Sequence, residues 1–480
     1  MNDSVQFLPV LPEIIVALAG CVVLVVDLFL PKDGKEPAFV LTLLSLVLAL
    51  AVLVMQFGAE PSVLYHGAVV VDDLAVLLKI GVVIAVALLL VYGRQYNRDR
   101  DLFRGEFFVL ALFGLAGMMV LASANHLITL YMGLELMSLC MYAMIAMQRD
   151  SGRASESAMK YFVLGALASG ILLYGMSLVY GIAGTMEFGP LSEAIAGADK
   201  NATPLVLAVI FVVVGLAFKL GAVPFHMWVP DVYHGAATST TVFIGSAPKL
   251  AAFAMIARLL ISGLGEMHVH WGDMLVVLAV LSVAIGNVVA IAQSNLKRML
   301  AYSTISHMGF FLFGILAGNA LGYGAALFYV FVYTLMSLGA FGVLLVLSTR
   351  GFDVENLDDL AGLNRTHPWI AMLMLLLMFS MAGVPPTIGF YAKLSVIQAL
   401  LSVDLVWVAV VAVLLAVIGA FYYLRVIKIM YFDPSPETRV LSPQPGAVAL
   451  LSVNALAVLW LMPLTGIIVE LCQDAVMVLQ

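Results

Sequence analysis

The chain has 480 residues, 63% of them hydrophobic and only 11% charged, with a mean hydropathy of +1.10 and a formal net charge of −7. Soluble domains carry about 25% charged residues, so water is not the main solvent of this chain. Its three cysteines, Cys21, Cys140 and Cys472, lie far apart in apolar stretches; together with the lack of a Gly-rich nucleotide fingerprint or a haem-attachment motif, this excludes a redox centre of the usual kinds.

In chain order, fourteen apolar stretches are long enough to cross about 30 Å of hydrocarbon. They lie near 8–30, 37–56, 71–93, 106–122, 125–147, 156–183, 203–234, 238–262, 272–292, 297–317, 321–348, 367–402, 404–430 and 446–470. The opening MNDSVQFLPVLPE has no basic n-region and no clear small-residue cleavage site, so the first stretch is expected to be a retained helix. Asp27 near its end is expected to be structural. Lys79 in the third stretch is expected either to touch a neighbouring subunit or to share in transport. Glu135, in LYMGLELMSL, lies about ten residues into the fifth, roughly 15 Å deep at 1.5 Å per residue. Lys160 follows in the sixth, and Lys219 lies near the centre of the overlong seventh, whose continuation KLGAVPFHMWVPDVYHGA holds Pro224, His226 and Pro230. The eighth carries Pro248 and Lys249 in GSAPKLAAF, and Arg258 near its end, which is expected to snorkel. His307, in TISHMGFF, is at the middle of the tenth. The overlong twelfth reads SMAGVPPTIGFYAK, with Pro385 and Pro386 ahead of Lys393.

The basic residues between these stretches fall on alternate connections. Lys32 and Lys35, Arg94, Arg98, Arg100 and Arg104, Arg149 and Arg153, Lys297 and Arg298, Arg350 and Arg365, and Arg425, Lys428 and Arg439 share one side; the other side has only Lys200. Such asymmetry marks the cytoplasmic face and predicts that both termini point away from it.

An ionisable group at mid-bilayer costs about 2.5–3.5 kcal/mol on insertion scales and faces a partner or a wet cavity. One such lysine is compatible with a structural pair or with snorkelling. Five groups on five helices at one depth, Glu135, Lys219, Lys249, His307 and Lys393, predict a string of titratable side chains in the membrane plane. His307 alone reads as a core histidine; its company gives it a relay role. Burial favours the neutral amine and a nearby carboxylate the ammonium, so a lysine with a movable carboxylate partner takes up and releases protons. Glu135 is the candidate partner for Lys219 or Lys160. A sodium site would favour clustered carboxylates, and this set is lysine-rich.

Each proline removes an amide donor and frees a carbonyl one turn earlier. Unpaired backbone at that depth persists only where protein or water satisfies it. The matching cores Gly-Ala-Val-Pro and Gly-Val-Pro-Pro lie 161 residues and five stretches apart, and repeats offset by an odd number of crossings are inverted.

At these residues the chain resembles the antiporter-like membrane subunits of respiratory NADH–quinone oxidoreductase (complex I), and among them the group called subunit N. The resemblance spans the chain, through LPEIIVALAGCVVLVVDLF, GLELMSLCMYAM, SESAMKYFVLGALASG, FKLGAVPFHMWVPDVYHGAATSTTVFIGSAPKLA and NLKRMLAYSTISHMGF. It implies an all-α polytopic membrane protein of about fourteen transmembrane helices, with two inverted five-helix repeats and two Pro-broken helices. The implied divisions are a three-helix segment 1–105, a first repeat 106–262, a second repeat 272–430 and a C-terminal helix 431–480. The resemblance makes Glu135 and Lys219 a modulating pair, Lys249 a central proton carrier, His307 a connecting relay and Lys393 the carrier of the second half-channel. Lys160 and His226 match further polar-axis positions. It implies proton translocation in a bacterial inner (plasma) membrane, driven by quinone reduction elsewhere. NADH, FMN, iron–sulfur clusters and quinone would belong to the parent complex and none to this chain. Other membrane-arm subunits, lipids, protons and water would be its partners, with no role for nucleic acid. A subunit of a sodium/proton antiporter or membrane hydrogenase shares the helix core, and a non-conducting scaffold is a rival of another class.

Overall fold

The computed structural model describes residues 7–31, 34–434 and 443–479; Lys32 and Arg439 lie outside the described residues. The chain is a bundle of long apolar helices: α1 (Leu11–Phe29), α2 (Glu36–Gln56), α3 (Asp73–Asp99), α4 (Gly105–Ser123), α5 (Leu127–Ile145), α6 (Gly152–Ala183), the short surface helix α7 (Phe188–Ala196), and α8 (Thr203–Leu220). There follow α9 (Trp228–Gly235), α10 (Thr238–Gly245), α11 (Ala247–Ile256) with a π-helical continuation Ala257–Gly263, α12 (His268–Ile291), α13 (Leu296–Leu316) and α14 (Ala320–Leu347). The last are α15 (Leu363–Thr366), α16 (Pro368–Ala382), α17 (Ile388–Ser402), α18 (Val406–Phe432), α19 (Pro445–Trp460) and α20 (Thr465–Val476). A two-stranded hairpin, β1 (Ser62–Leu64) and β2 (Val69–Val71), covers one end. Neither it nor α7 is foreseen in the sequence, since both lie in connections.

Among the described residues thirteen helical segments are long and apolar enough to cross a membrane, and Pro368–Ala382, Ile388–Ser402 and Pro445–Trp460 are shorter. The shorter ones work in pairs. α8 with α9, and α16 with α17, are the two expected broken helices, each first half ending on a left-handed glycine, Gly221 and Gly383. The third pair, α19 with α20, corrects the expectation of one helix over 446–470. It breaks around Pro463, yet both parts follow α14, near Gly342 and Gly339 (Leu451, Asn454) and then Gly324 (Gln473). Counting each pair as one passage gives fourteen.

The connections sort into the two ends that the basic residues predict. At one end Arg100 donates to the Thr349 and Phe352 carbonyls and pairs with Asp353. There too Arg153 makes two hydrogen bonds to Glu355, of 2.9 and 3.1 Å, and Arg425 donates to the Ile291 and Gln293 carbonyls. At the other end Gln56 meets the Leu8 carbonyl, Asn125 the Gly67 carbonyl, and Lys200 pairs with Glu266 at 2.5 Å.

Glu355 ties this basic end together. Burial alone would raise its carboxyl pKa, but Lys297 at 3.5 Å and Arg153 hold it below the usual carboxylate range. A depressed carboxylate stabilises the fold fully above its unfolded value, about 4.3, and loses that contribution as pH falls through the folded value. The thermal-midpoint difference between the unaltered protein and Glu355→Gln is therefore expected at pH 6 and to shrink as pH is lowered to 4, measured by scanning fluorimetry.

Two helix pairs approach with backbone in contact. A Cβ on Gly117 of α4 would meet the Met137 amide nitrogen at 2.6 Å and the Gly133 carbonyl at 2.7 Å in α5. A Cβ on Gly286 of α12 would meet the Ser306 amide nitrogen at 2.7 Å and the Tyr302 carbonyl at 2.9 Å in α13, at the same sequence separations. Glycine is what allows both crossings.

Candidate functional site

Glu135 on α5 and Lys219 in the last turn of α8 face each other, Oε1 to Nζ 3.9 Å, with side chains 23% and 5% exposed. Neighbouring hydroxyls hold both: Ser169 of α6 donates to Glu135 Oε1 at 2.5 Å, and Lys219 donates to Ser138 Oγ at 3.0 Å. Across a cavity of about 10 Å³ lies Lys249, with Met137, Tyr161 and Trp228 on the walls. That volume is at the lower limit for one water, so the passage between the two lysines is nearly dry in this conformation.

The helix breaks supply the lysines with acceptors. Gly221 ends α8, so the Leu220 carbonyl has no helical amide and accepts from Lys249 Nζ at 3.2 Å. The face of Trp228 is 5.6 Å from the same ammonium, and the indole is fixed by donation to the Phe218 carbonyl at 2.9 Å. At the second break Lys393 of α17 donates to the Met381 and Ala382 carbonyls, at 3.0 and 2.9 Å, where Gly383 ends α16. Phe310 lies over this ammonium at 5.2 Å. Both buried lysines are thus held at the negative ends of half-helices.

Between them runs a line of side-chain hydroxyls with one imidazole. Ser337 donates to the Gly245 carbonyl, one turn before Lys249. Tyr333 lies 2.8 Å from Thr304 Oγ1, and its ring is 5.2 Å from that of His307. His307 Nδ1 is 2.7 Å from the Tyr329 hydroxyl and Nε2 is 3.0 Å from the Tyr423 hydroxyl, which continues to Ser303 at 2.5 Å. Neutral imidazole has one donor and one acceptor nitrogen, so a proton can enter at one side and leave at the other. Phe310 stacks on Tyr329 at one end of this line and faces the Lys393 ammonium.

Residues 124–419 match the family described as NADH:quinone oxidoreductase/Mrp antiporter, TM. The chain is 56% identical over 471 residues to NADH-quinone oxidoreductase subunit N of Thiobacillus denitrificans, covering 98% of each chain. It belongs to the subunit N family. The family member of Thioalkalivibrio sulfidiphilus is 54% identical over 476 residues, again covering 98% of each. Among solved structures, a chain of respiratory complex I from Thermus thermophilus with bound aureothin superimposes with a TM-score of 0.82 at 32% identity, over 96% of this chain and 98% of that one. A chain of the Mrp complex from Dietzia shares the fold, with a TM-score of 0.83 at 21% identity, over 99% of this chain and 97% of that one.

Within this subunit N fold, the other sequence-predicted residues are not among the contacts described above. Lys160 is 44% exposed and pairs with Glu156 at 2.8 Å and Asp231 at 2.9 Å, and Asp231 also binds Arg298. His226 is buried in the segment between α8 and α9. One further reading needs correction. Arg258 does not snorkel but pairs at 2.7 Å with Asp72, a partner 186 residues away. Lys79 is fully buried against Glu13 at 2.5 Å, which fits an internal ion pair better than a contact outside the chain and leaves its transport alternative open. Sequence reasoning missed Ser138, Ser169, Thr304, Tyr329, Tyr333 and Tyr423. A signal existed: Tyr329, Tyr333 and Ser337 recur every fourth residue along the largely apolar α14, a polar stripe on one helix face.

Proposed function

We propose that the chain moves protons along a seam from Glu135 and Lys219 through Lys249 and His307 to Lys393, as an antiporter-like membrane subunit of NADH-quinone oxidoreductase. The observation that carries this reading is the paired construction of the site. Two buried ammonium groups each rest on carbonyls freed by a helix break, with a histidine–tyrosine relay between them. A buried amine that has acceptors but no carboxylate in contact is poised to exist in either protonation state. Glu135, 3.9 Å from Lys219, sets the charge at the first end; moving it away or neutralising it favours release of the Lys219 proton.

The subunit works as part of an enzyme whose electron transfer takes place elsewhere: NADH, FMN, the iron–sulfur clusters and quinone belong to other subunits. Its partners are the other membrane-arm subunits, lipids, water and protons. The membrane is the bacterial inner membrane, with both termini on the periplasmic side; the clustering of Arg100, Arg153, Lys297 and Arg425 at one end supports this orientation. Residues 106–262 and 272–430 are the two inverted repeats, between a three-helix segment 1–105 and a C-terminal segment 431–480. The like-spaced α4–α5 and α12–α13 crossings and the two glycine-capped breaks support that division. Lys160 and His226 are secondary members that set charge and hydration near the first break.

Glu135→Gln and Lys219→Ala test this in the assembled complex reconstituted into sealed vesicles. Each is expected to lower protons moved per NADH oxidised, and the double variant to do little worse than Lys219→Ala alone, because residues acting as one unit are not additive. Normal output from both single variants, with normal assembly, would leave a scaffold.

A further inference from the structure

A second cluster of buried ionised groups lies outside the seam, toward the end of the bundle that holds the β-hairpin. Asp72 caps α3, accepting from the Ala75 amide at 2.8 Å, and the same Oδ1 accepts from Arg258 Nη2 at 2.7 Å. Their side chains are only 1% and 5% exposed. Two turns along α3 lies the pair already described, a fully buried Lys79 against Glu13, which is 13% exposed. Ion pairs sealed in this way add little net stability, because desolvation offsets their attraction.

Three observations give the cluster a transport geometry. The buried Asp72 Oδ2 has no hydrogen-bond partner among the described residues, and Asp72 lines a cavity of about 190 Å³ together with Gln56, Glu60, Ser62 and Val76. This space holds several waters, and Ala59 and Glu60 on its wall are exposed, so it opens outward. On the inner side, Lys249, Ala252 and Met255 line the small cavity of the seam, and Arg258 follows one turn after Met255 in the same helical run. Leu121 lines the same cavity, while its neighbour Ala122 gives its carbonyl to Arg258 Nε and Nη2, both at 3.3 Å. Arg258 also falls at the start of the π-helical turn Ala257–Gly263, and such turns collect at functional sites.

We propose that Asp72 is a proton-exchange port that connects Lys249 with the water on the hairpin side of the membrane. This rests on the proposed role of Lys249. In the exchange an N–H bond of the Lys249 ammonium breaks and its proton passes through water to Asp72 Oδ2, where an O–H bond forms. That O–H bond then breaks to a water of the 190 Å³ cavity, leaving the carboxylate paired with Arg258 and the Lys249 amine free to take a proton from Lys219. Arg258 stays protonated throughout and positions Asp72. The other charged groups around Asp72 are Lys79 and Asp73 on its own helix, Glu60 across the cavity, and Glu13 behind Lys79. In this proposal Met255, which is unbranched, buried and on the wall of the small cavity one turn before Arg258, is the stopper that must move for the connection to open.

The test uses the assembled complex in sealed vesicles of both orientations. Ser62→Cys, on the cavity wall, is expected to react with a membrane-impermeant cationic methanethiosulfonate from one side only. Reaction should cut protons per NADH by about twofold or more, with uncoupled NADH oxidation retained and the unaltered complex unaffected. Asp72→Asn is expected to match that loss and Asp72→Glu to recover much of it, which a purely structural pair would not require. Lys249→Ala serves as the reference. If it lowers output while labelled Ser62→Cys does not, or if Ser62→Cys stays unlabelled from both sides, the port is wrong and the seam stands. If Lys249→Ala itself leaves output unchanged, the seam reading fails. Should Asp72→Asn not assemble, the Ser62→Cys arm decides alone.

Discussion

Lys249→Ala is expected to leave the complex assembled and to abolish the proton output of this subunit. The ammonium rests on one carbonyl, Leu220 at 3.2 Å, and on the face of Trp228 at 5.6 Å. Because no carboxylate pairs with it among the described residues, its removal strands no opposite charge, and relief of desolvation offsets the lost hydrogen bond. The stability cost is about 1 kcal/mol. Proton transfer suffers far more. Loss of a positioned acid–base group costs about 100-fold or more, and the remaining cavity joins Lys219 only to apolar walls and the neutral hydroxyls beyond. A native gel reports assembly, uncoupled NADH oxidation reports electron transfer, and a pH dye inside vesicles reports the output.

The second large effect is structural. A Cβ on Gly389 would stand 2.0 Å from the Ser380 carbonyl oxygen and 2.7 Å from its Oγ, so the two halves of the second broken helix meet backbone to backbone. Alanine there must push α17 off α16 by an ångström or more. Overpacking of this kind costs about 1–3 kcal/mol. Lys393, one turn further along α17, would then leave the Met381 and Ala382 carbonyls, and an ångström of misplacement at a reacting group costs about 100-fold. Gly389→Ala is expected to lower the thermal midpoint of the complex and to reduce proton output in whatever assembles. An unchanged midpoint with full output would show that the halves are free to separate.

The placement of the crossings and the pairing of their ends were legible because both depend on local chemistry. Apolar length sets the span, and Arg and Lys on alternate connections set the partition that Arg153–Glu355 and Lys200–Glu266 display. The two central breaks were legible through Gly-x-Val-Pro and Gly-Val-Pro, since proline and a left-handed glycine leave a mark on the sequence. The break at Pro463 was not, because no second proline, matching segment or buried charge accompanies it.

Within the site, Glu135, Lys219, Lys249, His307 and Lys393 stood out because ionisable groups at that depth are expensive. Tyr333, Tyr329 and Tyr423 did not, because a tyrosine in a membrane helix carries no such cost until its hydroxyl is buried. That each of these hydroxyls meets Thr304 or His307 is a fact of helix packing. Arg258 was misread, and the partner of Lys79 was not legible, for the same reason. Asp72 and Glu13, which bury them, come from elements far away in sequence, and one cation near a helix end looks the same with or without such a partner.

Arginine at position 249 separates a carrier from a fixed charge most directly. It keeps the positive charge and can reach the Leu220 carbonyl, but a guanidinium does not give up its proton in proteins. Proton flux and NADH oxidation measured together in vesicles should show Lys249→Arg as inactive in proton output as Lys249→Ala, with uncoupled electron transfer still present. Output from Lys249→Arg equal to that of the unaltered complex would mean that position 249 serves only as a charge, and that protons travel by some other route.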